Sequence, residues 1–124
     1  MFETYLYSLL SFLLAYTANQ SLVLRLTDND RGVVEVFDGV SNWGTICGAH
    51  WGYSEAHVAC RHMGYASAFT FFSETSQPGI DPFINRASCT ATSTSFDQCT
   101  FSPWISFRGC FTPMAGVVCS GNIS

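Results

Sequence analysis

Lysine is absent from this 124-residue chain. Its positive charge rests on five arginines, Arg25, Arg31, Arg61, Arg86 and Arg108, set against nine acidic residues and scattered along the sequence. Nucleic acid is therefore not an expected partner, because binding it takes a clustered basic footprint. There is no charged tail, no low-complexity run and no internal repeat. No glycine-rich phosphate loop is present, and no serine sits in the glycine pattern of a nucleophile elbow. Past the first twenty residues, no apolar run is long enough to span a bilayer.

One apolar run does exist. From Tyr5 the chain reads "YLYSLLSFLLAYTANQ", with an apolar core well short of the roughly 20 residues that a membrane span needs. That is the length of a signal-peptide core, so residues 1–18 are expected to be a secretory leader cleaved after Ala18. The start, "MFET", carries Glu3 where a positive charge is usual. The rest, residues 19–124, is the size of a single domain, which buries a modest core and gains from covalent help. All six cysteines lie in it. An even number in an oxidising compartment reads as three disulfides, and spacing alone leaves their pairing open. Sequons at Asn19 and Asn122, at the two ends of that domain, are candidate glycosylation acceptors.

"LVLRLT" (Leu22–Thr27) alternates at period two, as a half-buried strand does. The turn residues "DNDRG" lead to a second strand, Val33–Phe37, and "DGVSN" leads to a third, Trp43–Cys47, making an antiparallel meander. Further strands are expected at Ala68–Phe72, Phe83–Ser88 and Ala115–Cys119. A loop punctuated by Pro78, Gly79 and Pro82 separates the first two of these. One helix is expected between Ser54 as N-cap and Gly64 as stop, with Ala56, Ala59, Cys60 and Met63 on its apolar face. A short helical turn is expected around Ser93–Gln98.

The stretch "CGAHWGYSEAHVACRHMG" (Cys47–Gly64) packs two cysteines and three histidines into a short span, and three chemistries compete for it. Zinc would suit the ligand types, but the close ligand pairs of structural zinc sites are missing. His57 and His62 also stand about 140° apart around the helix, so one ion cannot take both. A catalytic cysteine needs a free thiolate beside its base, which disulfide formation removes. The bland reading makes His57 and His62 solvated residues of the helix face and Cys60 a core-facing bridge.

Several ordered anchors then point to a family. "RGVVEVFDGVSNWGTIC", "HWGYSEAHVACRHMGY", "CTATSTSFDQC" and "AGVVCS" resemble the scavenger receptor cysteine-rich (SRCR) domain over about residues 22–120, with Trp51 and Trp104 matching its tryptophans. Having six cysteines, with Asp30 and Tyr65 where an extra bridge would sit, the chain resembles the group A type. The resemblance implies the pairs Cys47–Cys110, Cys60–Cys119 and Cys89–Cys99. It also implies an α+β fold, a curved antiparallel sheet cradling one helix with long loops.

Many similar domains bind calcium through carboxylates. At the corresponding positions this chain has Gly48-Ala49, Pro113-Met114, Asn85-Arg86 and Ser93, so no metal site and no cofactor is expected. The resemblance implies a secreted or extracellular, non-enzymatic recognition module for a protein or microbial-surface ligand, or the ectodomain of a membrane receptor. The rival implication is an accessory module of a larger extracellular protease or oxidase; a structural domain without a ligand is the third. Arg31 resembles a basic position of some scavenger receptors, but Val33 replaces its companion. A loop-like aromatic segment, Phe101–Phe111, is the expected contact surface, through Trp104, Phe107, Arg108 and Phe111.

Overall fold

A computed structural model describes residues 22–74, 82–103 and 113–122. The leader, Asn19 and the proposed domain start lie outside the described residues. So do residues 75–81 of the expected loop and residues 104–112.

The strands are β1 (Leu24–Asp28), β2 (Arg31–Phe37), β3 (Trp43–Ile46), β4 (Tyr65–Glu74), β5 (Pro82–Ser88), β6 (Thr100–Pro103) and β7 (Met114–Asn122). They form one seven-stranded sheet in the order β4-β7-β2-β3-β5-β6, with β1 added to β2. A single helix, α1 (Tyr53–His62), and a 3-10 turn at Phe96–Gln98 complete the α+β architecture among the described residues.

The first three strands form the antiparallel meander that the alternating sequence implies. Leu24 stands opposite Val36, and Glu35 opposite Thr45. Two elements depart from expectation. β3 pairs with β5 in parallel, because α1 and β4 intervene between them and a crossover returns the chain in the same direction. The start of the segment Phe101–Phe111, read as loop-like, is instead part of strand β6 (Thr100–Pro103), antiparallel to β5.

Burial on β2 runs through four consecutive residues, Val33 to Val36, so both faces of the central strand are covered there. On β2, Val34 and Val36 are fully buried toward α1, beside Ile46, Val58, Ala59, Cys60, Phe96 and Val117. Phe96 is the largest of these, and burying such a ring is worth about 2–3 kcal/mol. The Trp51 indole donates from Nε1 to the Gly116 carbonyl at 3.0 Å, which satisfies its polar end within the core.

Thr45 is fully buried, and its Oγ1 has no hydrogen-bond partner among the described residues. Leaving a hydroxyl in that state costs roughly 1–3 kcal/mol. Thr45→Val, close in shape and without the hydroxyl, is expected to raise stability by about 1 kcal/mol in urea unfolding. Destabilisation of the valine variant would show that the hydroxyl is satisfied in solution.

The helix begins two residues earlier than Ser54 as N-cap implies. Gly52 is the N-cap, and the Glu55 carboxylate reaches back through Oε1 to accept from the Gly52 N–H at 3.0 Å. At the other end Gly64 takes φ +100°, a backbone conformation that stops a helix and that side-chain-bearing residues resist. Cys60 joins α1 to Cys119 on β7, and Cys89 is joined to Cys99. Cys47 is also disulfide-bonded; its expected partner, Cys110, lies outside the described residues.

Candidate functional site

The chemistry-bearing residues of Cys47–Gly64 turn out to be framework. Glu55 is buried, and its second oxygen accepts from the Cys89 N–H at 2.9 Å, so one carboxylate links the helix start to the Cys89–Cys99 loop. At the helix end, the Arg61 guanidinium donates to the carbonyls of Ala66, Ala91 and Ser93. The arginine of the Cys60–Gly64 motif therefore ties that same loop down from the other side.

His57 and His62 are half-buried, with ring nitrogens engaged by backbone groups, rather than free on a solvated helix face. His57 Nδ1 accepts from the Ala68 N–H at 3.0 Å, and its ring stacks on Tyr53 with centroids 5.5 Å apart. His62 Nδ1 accepts from the Phe96 N–H at 3.0 Å, which leaves Nε2 to donate to the Leu22 carbonyl at 2.6 Å. The helical spacing alone carried no sign of this, because the acceptors and donors belong to elements far away in sequence.

Tyr53, His57 and Arg61 are spaced i, i+4, i+8 along one stripe of α1. Their polar atoms meet Phe69 O, Ala68 N and Ala66 O of β4 in turn. Among the described residues β4 ends the sheet order with β7 beside it, so the helix stripe takes up backbone groups that no described strand pairs. An edge covered in this way is protected from pairing with other chains.

Ser95, His62 and Asp97 do converge, yet not as a hydrolytic triad. Ser95 Oγ donates to Asp97 Oδ2 at 2.8 Å and lies 3.4 Å from His62 Nδ1, which the Phe96 N–H already occupies. A triad needs the acid on the histidine and the histidine free to take the serine proton. Here Asp97 Oδ1 instead accepts from the Leu22 N–H at 2.8 Å, so the group anchors the start of the domain.

At the positions where similar domains hold calcium, a side chain at residue 48 has no room. The Gly48 N–H donates to Pro113 O at 2.7 Å, and a Cβ on Gly48 would stand 2.3 Å from that oxygen. No three metal-ligating side chains converge among the described residues.

On the sheet face opposite the helix Val33, Glu35 and Thr45 are buried, and exposed surface lies at the end next to the β2–β3 turn. One cross-strand row runs Val23–Phe37–Trp43: Phe37 N–H donates to Val23 O, and Phe37 stands opposite Trp43 with rings 5.2 Å apart. The next row is Arg25–Glu35–Thr45. The Arg25 guanidinium lies 3.8 Å over the Trp43 ring, while its Nε donates to Glu35 Oε1 at 2.6 Å. Glu35 is buried, and the Arg25 side chain is half exposed. Val40 is 60% exposed in the turn beside this row, where Asp38 Oδ1 accepts from the N–H groups of Val40, Ser41 and Asn42. The register creates this cluster, so no local motif announced it.

Arg31 lies on the same face at the far end of β2. Its Nε donates to Asp30 Oδ1 at 3.0 Å, and both side chains are exposed. That hydrogen bond holds the Asp30 carboxyl below its ordinary value and raises Arg31. Trp104, Phe107, Arg108 and Phe111 lie outside the described residues. Phe101 packs on Phe96, with ring centroids 5.3 Å apart, as part of the core margin.

Comparison with known proteins places this architecture. The pattern of the scavenger receptor cysteine-rich domain matches residues 26–120. Mouse galectin-3-binding protein is 35% identical over 95 residues, which is 75% of this chain and 16% of that protein. Cattle (Bos taurus) lysyl oxidase homolog 4 is 35% identical over 102 residues, 75% of this chain and 14% of that protein. The chain thus spans about a sixth or less of these curated relatives. The third SRCR domain of murine neurotrypsin superposes with a TM-score of 0.63 at 27% identity, covering 80% of this chain and 96% of that one. Matched anchors, a shared fold and the two observed disulfides agree: the chain belongs to the scavenger receptor cysteine-rich domain family.

Proposed function

We propose that the chain is an extracellular, non-enzymatic recognition module for a protein or microbial-surface ligand. The observation that carries this is the division of labour in the fold. Glu55, His57, Arg61, His62, Ser95 and Asp97 all make framework hydrogen bonds, while on the opposite sheet face Arg25, over the half-buried Trp43 ring, and Arg31 are exposed. Disulfides favour an oxidising compartment, and no helix among the described residues is long and apolar enough to cross a membrane. One relative is named for binding galectin-3, which supports a protein ligand.

The test is an array of extracellular proteins and microbial polysaccharides, probed with calcium and with EDTA. Binding in both conditions is expected, because Gly48 leaves no space for a carboxylate at the calcium position. For the same reason, millimolar calcium is expected to leave the melting temperature unchanged, whereas an occupied site would raise it by mass action. A rise that EDTA reverses, or binding abolished by EDTA, would overturn the calcium-independent reading. An array with no binder would overturn recognition itself.

The accessory-module reading is favoured by one specific finding, the small share of its relatives that the chain covers. A continuous reading frame encoding a protease or oxidase beside this domain would establish it. The segment of Trp104, Phe107, Arg108 and Phe111 remains a proposed contact on composition. Phe107→Ser with Arg108→Ala tests it through lost array binding at an unchanged melting temperature.

A further inference from the structure

Resting on the recognition reading, we propose that the Val23–Phe37–Trp43 row with Arg25 is a docking site for a protein segment that carries a carboxylate beside an apolar side chain.

Arg25 is held on two sides. Glu35 fixes Nε, and the Trp43 ring lies under the guanidinium plane. A guanidinium gripped in this way loses less freedom when it binds, and it presents its remaining donors in a fixed fork. The Nη atoms have no acceptor among the described residues. Two parallel N–H donors match a carboxylate in the bidentate geometry.

The surroundings choose between anions. Arg25 lies on the Trp43 ring, which packs on Phe37, and exposed apolar residues adjoin this row in Val23 (51%) and in Val40 (60%) of the β2–β3 turn. A sulfated polysaccharide would want several cations here. The net charge of the chain is -4, and the other arginine on this face, Arg31, is paired with Asp30 at the far end of β2. One fixed fork within an apolar frame fits an acidic residue next to Leu or Phe in a partner protein. Trp and Arg at the centre of such a frame are the residue types that dominate protein interfaces.

The test uses the oxidised full chain and three synthetic peptides with Leu-Glu-Phe, Leu-Gln-Phe or Leu-Lys-Phe at the centre, titrated at low salt while the Trp43 indole and Arg25 Nε–H resonances are followed. The Glu peptide is expected to bind at least about fivefold tighter than the Gln peptide, consistent with a charge-assisted pair. It should weaken with salt and shift both resonances, and the Lys peptide should not bind. Val40→Glu, at an exposed turn position outside the sheet, should abolish binding with the melting temperature kept. Arg25→Gln, which removes the charge, should bring the Glu-to-Gln ratio close to one, and Arg25→Lys, which keeps the charge without the fork, should lower it.

Equal binding of Glu and Gln peptides, silent Trp43 and Arg25 resonances, or full binding by Val40→Glu would each overturn the proposal. Heparin fragments shifting these resonances where the Glu peptide does not would make the face a polyanion site and overturn it too. Self-association lost in Val40→Glu would assign the face to a second copy instead. A ligand from the array that binds Val40→Glu unchanged removes this site and leaves the recognition reading standing.

Discussion

Replacing Cys60 and Cys119 together by alanine is expected to remove about 4 kcal/mol of stability, the chain-entropy value for closing a loop of this length. The bridge spans 59 positions and ties the central helix to β7, in the middle of the core. Both residues are buried, so the alanines also leave small unfilled spaces. A domain of this size commonly has a total stability of roughly 5–15 kcal/mol, so the variant should be largely unfolded at modest urea concentrations. The matched Cys89→Ala, Cys99→Ala variant closes only 10 positions and should lose about 3 kcal/mol. Its loop also keeps the hydrogen bonds from Glu55 and Arg61. Equilibrium unfolding of both variants checks the order. A Cys60/Cys119 variant as stable as the other would mean that the bridge adds no constraint the sheet does not already supply.

Glu55→Ala is expected to cost about 3 kcal/mol, although no charge partner is lost. The carboxylate is buried and accepts from two backbone N–H groups, those of Gly52 and Cys89. Removing it leaves both donors without that partner, each worth roughly 1–3 kcal/mol when buried. Glu55→Gln keeps one acceptor oxygen but turns an NH2 toward the other donor, so an intermediate loss of about 1–2 kcal/mol is expected. Unfolding curves rank the three proteins, and amide exchange at Gly52 and Cys89 should accelerate in the alanine variant. An alanine variant within about 0.5 kcal/mol of the parent would show that water replaces the carboxylate without penalty.

The strands were legible because alternation is local. Leu22, Leu24 and Leu26 face the core, as the period of two requires, and Val34 and Val36 do the same. The apolar helix stripe of Ala56, Ala59 and Cys60 was equally readable, with Met63 at its margin. Val58 is also fully buried, since α1 packs against β4 as well as β7. What escaped the sequence depends on pairing between distant segments. Gly52 became the N-cap because Glu55 reaches back to it, which propensity at Ser54 does not reveal. His57 and His62 look like surface residues until β4 and the 3-10 turn are laid beside the helix. The Arg25–Trp43 contact joins residues on non-neighbouring strands, and only the register of β1 on β2 and of β2 on β3 brings them together.

Because Tyr53, His57 and Arg61 bond the Ala66–Phe69 part of the outer edge of β4, and no strand does so among the described residues, that part is covered only once the helix has docked. Until then β4 offers ten residues without lysine or proline, the usual guards against pairing with a neighbour. Two chains that meet at that stage can join β4 to β4 and leave the productive route. Oxidation of Cys60 with Cys119 holds the helix beside this edge and ends the exposure. Delayed closure of that one bond is therefore expected to raise the share of newly made chain lost to aggregation.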